Sequence, residues 1–223
     1  RINSCLPCNI RNGTIIYMGK YYCLNTEEKM KDAIRKKMLE VRNRLSDDEV
    51  YRLSENIFLK LRENNFFNNS TNIMVYLDFR NEVKTDLIIN YCLKDGKKIY
   101  IPVCIPETRE ICISRIESLN ELQSGHYGIR EPVEEHIRLA DSSLINLALI
   151  PGVVFDSSGN RIGFGAGYYD RFIKRLQPCT VKAALAYSFQ VIDSVPSDDH
   201  DVPMDYIITE KGTINCRHDN GRR

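Results

Sequence analysis

The chain has 223 residues, 43% hydrophobic and 27% charged, proportions of a globular domain that exclude a disordered or collagen-like chain. Thirty-one Lys and Arg against 30 Asp and Glu leave a formal charge of +1, so no global field draws it to nucleic acid or anionic lipid. No uncharged apolar run approaches the roughly 18–20 residues that cross a bilayer; the longest, Leu147 to Phe155, is cut by Pro151 and Gly152.

Residues 1–26 contain no Asp or Glu, lack any period and lack the apolar core of a secretory signal. They read as a weakly ordered extension, with an organellar transit segment as the alternative. Of the eight cysteines only Cys5 and Cys8 are close together, and no second pair or Cys/His couple follows to complete a zinc site. The scattered thiols read as small apolar side chains in a reducing compartment, which points to the cytoplasm.

From Met30 the pattern turns helical, with Met30, Ala33, Ile34, Met38, Val41 and Leu45 at helix spacing, so the folded domain is expected from about residue 27. Ser46 to Glu49 forms a capping box that opens a second helix, whose buried stripe is Val50, Leu53, Ile57, Phe58 and Leu61. A β-branched run at Ile73 to Leu77, a helix through Leu87, Ile88, Tyr91 and Cys92 ending at Gly96, and a strand at Lys98 to Val103 make a βαβ unit, which requires parallel strands. Glu110 to Ile116 alternates as a half-exposed strand, and Leu144 to Phe155 is apolar enough for one central strand. Phe172, Ile173 and Leu176 mark a helix, and Val181 to Tyr187 and Tyr206 to Thr209 are further strands. The expectation is a single-domain three-layer α/β/α sandwich with a largely parallel, mixed sheet over residues 27–212, followed by a polar tail, 213–223, that does not pack.

The densest chemical signal lies between Pro151 and Arg171. Gly163, Gly165 and Gly167 alternate just before a helix that starts near Tyr168, and backbone amides free of Cβ can approach an anion there. The spacing is neither a Walker A loop nor the dinucleotide fingerprint. A glycine-rich turn that only permits close helix packing remains the alternative reading of these residues alone.

This segment, with Pro151-Gly152, Phe155-Asp156 and Arg161-Ile162-Gly163-Phe164-Gly165-Ala166-Gly167-Tyr168-Tyr169-Asp170, resembles the signature of the 5-formyltetrahydrofolate cyclo-ligase family. Lys31 and Arg35, Glu82-Val83-Lys84-Thr85, and His200-Asp201 followed by Asp205 and Thr209-Glu210 resemble further pieces of the family pattern, over about residues 30–212. The resemblance implies ATP- and Mg²⁺-dependent closure of 5-formyltetrahydrofolate, in monoglutamyl or polyglutamyl form, to 5,10-methenyltetrahydrofolate. The near-zero charge and the lack of a membrane-length apolar run lead to the expectation of no nucleic-acid or membrane partner, and a monomer is expected.

By the same resemblance Arg161, Tyr168 and Tyr169 stand at the reacting groups. Lys31, Arg35, Arg161, Gly163, Phe164, Gly165, Ala166, Gly167, Tyr168 and Tyr169 surround ATP, Glu82 and Phe79 meet the folate, and Asp170 and Asp201 hold Mg²⁺. Taken alone, Lys31 and Arg35 read as a solvated helix face, Asp170 as a carboxylate favoured at a helix start, and Glu82 as a loop acid. Lys84 stands where some relatives carry a second acid, and Phe164 and Ala166 where some carry Arg and Lys. Those departures keep a catalytically silent nucleotide-binding module of the same fold as the competing function.

Overall fold

The structure, a computed structural model, describes residues 14–125, 128–197 and 201–217, with side chains from residue 27 onward. Helix α1 spans Thr14–Arg42, so helical backbone begins well before the apolar period at Met30. Its packed stripe is Ile34, Met38 and Leu39. Met30 and Val41, expected in that stripe, are 55% and 40% exposed, because α1 lies on a small sheet that meets only its middle turns.

Helix α2, Asp47–Arg62, opens on the expected box: Ser46 Oγ accepts from the Glu49 N–H and the Glu49 carboxylate accepts from the Ser46 N–H. Val50, Ser54, Ile57 and Leu61 are its buried side chains, and the short α3, Asn65–Asn68, adds Phe67. Strand β1 (Asn72–Val75), helix α4 (Asp86–Lys94) and strand β2 (Lys98–Ile105) form the βαβ unit, with β1 and β2 parallel. Gly96, at φ +76°, turns the chain out of α4 in the left-handed conformation that glycine adopts without a Cβ clash. Strand β3 (Glu110–Ile116) returns antiparallel to β2, β4 (Leu122–Ser124) and β5 (Arg130–Pro132) form a hairpin, and β6 (Leu139–Ala140) edges β3.

The run read as one strand from Leu144 to Phe155 divides. Strand β7, Leu147–Ile150, is buried throughout and ends at Pro151, which has no N–H for the ladder. Beyond Gly152 the chain enters a separate three-stranded sheet, in which β8 (Val154–Asp156) pairs with β9 (Arg161–Ile162) and β11 (Val191–Ile192). Helix α5 is shorter than the apolar pattern implied, spanning Tyr168–Ile173. Strands β10 (Val181–Leu185) and β12 (Tyr206–Thr209) fall where expected. The tail does not: β13, Gly212–Asn215, pairs antiparallel with β12 and Cys216 is buried. Edge pairing draws on backbone groups, so a polar sequence satisfies it as well as an apolar one.

The main sheet runs β13-β12-β10-β7-β1-β2-β3-β6, its five central strands parallel. Ile73, Val75, Ile99, Leu147, Leu149 and Leu185 face α2, α3 and α4 in one core. Met74, Tyr100, Ala148, Ile150 and Ala184 face α5 in the other. This strict alternation is the period-2 signature of strands covered on both faces, and it builds the three layers. Strand order reverses between β1 and β7, and doubly wound sheets bind ligands in the crevice outside the strand ends at such a point.

Candidate functional site

The chain leaves β1 into a loop held from beneath by Asp78. Its carboxylate accepts from the Thr85 N–H (3.1 Å) and from Lys84 Nζ (3.0 Å), and Arg130 approaches at 3.4 Å. Arg80, at φ +46°, takes a conformation uncommon for a residue with a Cβ and lays its guanidinium 4.9 Å from the Phe79 ring. This bend turns Glu82 inward, where it is 6% exposed. One carboxylate oxygen accepts from the Phe79 N–H at 3.0 Å. The other lies 3.8 Å from Arg42 Nη1 and has no hydrogen-bond partner. Burial pushes the Glu82 carboxyl up to about 7 although Arg42 pulls it back.

Arg42 was not among the residues singled out from the sequence. It ends α1 at 1% exposure, and its Nε and Nη2 have no partner. The signal for it was spacing: seven residues after Arg35 and eleven after Lys31, it shares their face of the helix. The same face carries Ile34 and Met38, so the stripe that docks α1 also aims its cations into the crevice.

The glycine loop leaves β9 and enters α5 between Arg161 and Tyr168. Gly165 and Gly167 adopt φ +98° and +71°, where glycine alone is free of strain. Arg35 Nε donates to the Gly163 carbonyl at 2.7 Å, and a Cβ on Gly165 would stand 3.5 Å from the Arg35 guanidinium. On its outer side Arg171 Nη2 braces the loop through the carbonyls of Ala166 (3.1 Å) and Arg109 (2.7 Å), with Tyr168 lying 5.9 Å from its guanidinium. Phe164 crosses to the α1 side, its ring 5.5 Å from Arg42 Cζ.

Arg161 lies behind the loop with its side chain 5% exposed, paired with Asp170, and Nη1 reaches the Pro151 carbonyl at 3.3 Å. Its Nε has no partner. Burial lowers its pKa, while Asp170, Tyr169 and Asp201 act in the opposite direction, so both carboxylates lie within electrostatic reach of this one cation. Asp201 also meets Lys31 at 3.6 Å. Burial pushes the Tyr169 phenol far above its usual range, with Glu82 and Arg161 within electrostatic reach. Lys31, Arg35, Arg161, the glycine loop, Asp170 and Asp201 thus converge on one crevice, and Glu82 and Phe79 stand beside it at the end of β1. Among the described residues no cluster of three His, Cys, Asp or Glu is gathered for a metal. His200 lies outside the described residues.

Comparison with known proteins identifies the family. The profile of the 5-formyltetrahydrofolate cyclo-ligase family matches residues 27–210. A mouse protein named 5-formyltetrahydrofolate cyclo-ligase is 31% identical over 83% of this chain and 96% of its own length. The solved structure of 5,10-methenyltetrahydrofolate synthetase from Aquifex aeolicus superposes with a TM-score of 0.75 at 36% identity, covering 87% of this chain and 95% of that one. The corresponding Mycoplasma pneumoniae structure gives 0.66 at 29% identity, covering 81% and 98%. A match that spans both cores, the loop after β1 and the glycine loop leaves one assignment: the chain belongs to the 5-formyltetrahydrofolate cyclo-ligase family.

Proposed function

We propose that this protein closes 5-formyltetrahydrofolate to 5,10-methenyltetrahydrofolate, using ATP and Mg²⁺ and releasing ADP and phosphate. The observation that carries the reading is that the cation-lined glycine loop and the buried Glu82 adjoin in one crevice, with Phe164 of the loop resting on Arg42 beside Glu82. A formyl oxygen is a weak nucleophile and hydroxide a poor leaving group, so the reaction needs phosphoryl activation of that oxygen before the second folate nitrogen attacks the carbon. The two substrates must therefore lie side by side.

In this reading Lys31 and Arg35 reach the polyphosphate from α1, and the amides of residues 163–167 approach it without Cβ interference. Arg161, buried with one free donor, faces the charge that develops on the transferring group, where low dielectric strengthens the interaction. Asp170 and Asp201, two carboxylates within electrostatic reach of the same Arg161, would hold the divalent cation, which would take over the charge that Arg161 and Lys31 now balance. When bound, Mg²⁺ supplies charge neutralisation to the phosphate oxygens. Glu82 and Phe79 orient the folate head group, the carboxylate through ring N–H donors, and Tyr169 walls the crevice against water.

The test is direct: purified protein, 5-formyltetrahydrofolate, ATP and Mg²⁺ are expected to generate the near-ultraviolet chromophore of the methenyl product. Omitting ATP or Mg²⁺ should abolish it. ATP binding without any chromophore would instead identify a silent nucleotide-binding module.

A further inference from the structure

Unpaired buried polar atoms are rare in a folded protein, and here three of the six on described side chains belong to one pair, Arg42 and Glu82. Arg42 Nε and Nη2 and Glu82 Oε1 are all buried without a hydrogen-bond partner. The Tyr187 hydroxyl lies within electrostatic reach of both and is hydrogen-bonded to Ser54. Such a cluster is what a binding site looks like before its ligand supplies the missing bonds, since each group left unpaired costs the full desolvation of that group.

The chemistry of the unpaired atoms is specific. Arg42 offers two N–H donors along one edge of a planar guanidinium and has no acceptor, whereas the free Glu82 oxygen, when ionised, only accepts. A donor edge beside an acceptor complements a ring amide, which presents C=O and N–H side by side. We propose that Arg42 is a substrate-binding residue that donates to the ring carbonyl of the folate head group while Glu82 accepts from the adjoining ring N–H. The inference rests on the folate reading of this site and adds to it the carbonyl half of the recognition.

The cover of this pair is identifiable as well. The Phe164 ring rests on the guanidinium and is 45% exposed, whereas Arg42 and Glu82 are 1% and 6% exposed. Phe164 is therefore the side chain that can turn outward to admit the head group, and its place in the glycine loop ties that opening to the neighbouring phosphate site.

The competing account is that Arg42 is merely the counter-ion of Glu82, whose carboxyl is also acted on by Asp78, Lys84 and the Phe79 N–H. Two variants separate the accounts. Arg42→Lys keeps the charge but loses the planar donor edge, and Arg42→Met removes both. Folate-substrate affinity is measured by calorimetry without ATP at pH 7 and at pH 9, alongside the KM for ATP and thermal unfolding. Direct contact predicts about 10- to 100-fold weaker folate binding in Arg42→Lys at both pH values, with the KM for ATP changed less than about twofold. A loss that disappears at pH 9, where Glu82 is ionised regardless of Arg42, overturns the proposal, as does unchanged folate affinity in a folded Arg42→Lys protein. If Arg42→Met does not fold, Arg42→Lys alone carries the test. Wild-type protein that fails to bind 5-formyltetrahydrofolate would instead refute the folate reading itself.

Discussion

Glu82 is the residue whose environment differs most from what its sequence neighbours imply. Its pKa in the fold, about 7, lies above the ordinary 4.5, so the folded protein binds this proton more tightly than the unfolded chain does. The resulting stabilisation is complete below pH 4.5 and is lost as pH rises through 7. Between pH 5 and pH 8 the ligand-free wild type should therefore lose roughly 2–3 kcal/mol relative to Glu82→Gln, whose amide does not titrate. Thermal melts of both proteins across that range check this, and parallel curves would show that Glu82 is not the titrating group. Gly165 is the second informative position. At φ +98° a β-branched side chain is strained, by about 1–3 kcal/mol, while its Cβ would only touch the Arg35 guanidinium at 3.5 Å. Gly165→Val should lower the melting temperature by several degrees and weaken ATP binding as well. Normal ATP affinity in the destabilised protein would remove this loop from the nucleotide site.

At the scale of elements, α1 links stability to chemistry. One face of it docks on the small sheet through Ile34, Met38 and Leu39 and presents Lys31, Arg35 and Arg42 to the crevice. Loosening that contact should act on both. Met38→Ala, at a partly buried site, is expected to cost about 1–2 kcal/mol and to raise the KM for ATP several-fold, because the cations move with their helix. Ile57→Val in α2, fully buried but facing the other core, should cost about 0.5–1.5 kcal/mol with KM unchanged. Equal KM values in the two variants would mean that α1 positions nothing at the site. The helix period and the capping box were readable because they are local. The division at Pro151 was also written in the sequence, yet the apolar run on either side masked it: strands of two different sheets are both buried, and burial is all that such a run encodes.

For the whole molecule, the family profile begins at residue 27, and α1 docks on the small sheet through Ile34, Met38 and Leu39. A protein starting at residue 27 is accordingly expected to melt within about 2 °C of the full chain and to keep its turnover. A fall of more than about 5 °C, near 1–2 kcal/mol for a domain of this size, would show that the preceding residues pack on the fold.

The sequence by itself determined the layers and the parallel core, because alternation of period 2 and helix periodicity are properties of neighbouring residues along the chain. It also determined the glycine loop, whose backbone conformations glycine alone adopts without strain, and through that loop the family resemblance. Tertiary structure alone decided that Arg42 and Glu82, 40 positions apart, would meet in the dark of one crevice with one carboxylate oxygen and two guanidinium nitrogens left without partners. It decided too that polar residues 212–215 would complete a sheet edge. Neither outcome is carried by local pattern: burial of a charge depends on what other elements bring over it, and strand pairing at an edge is made by backbone groups that every residue shares.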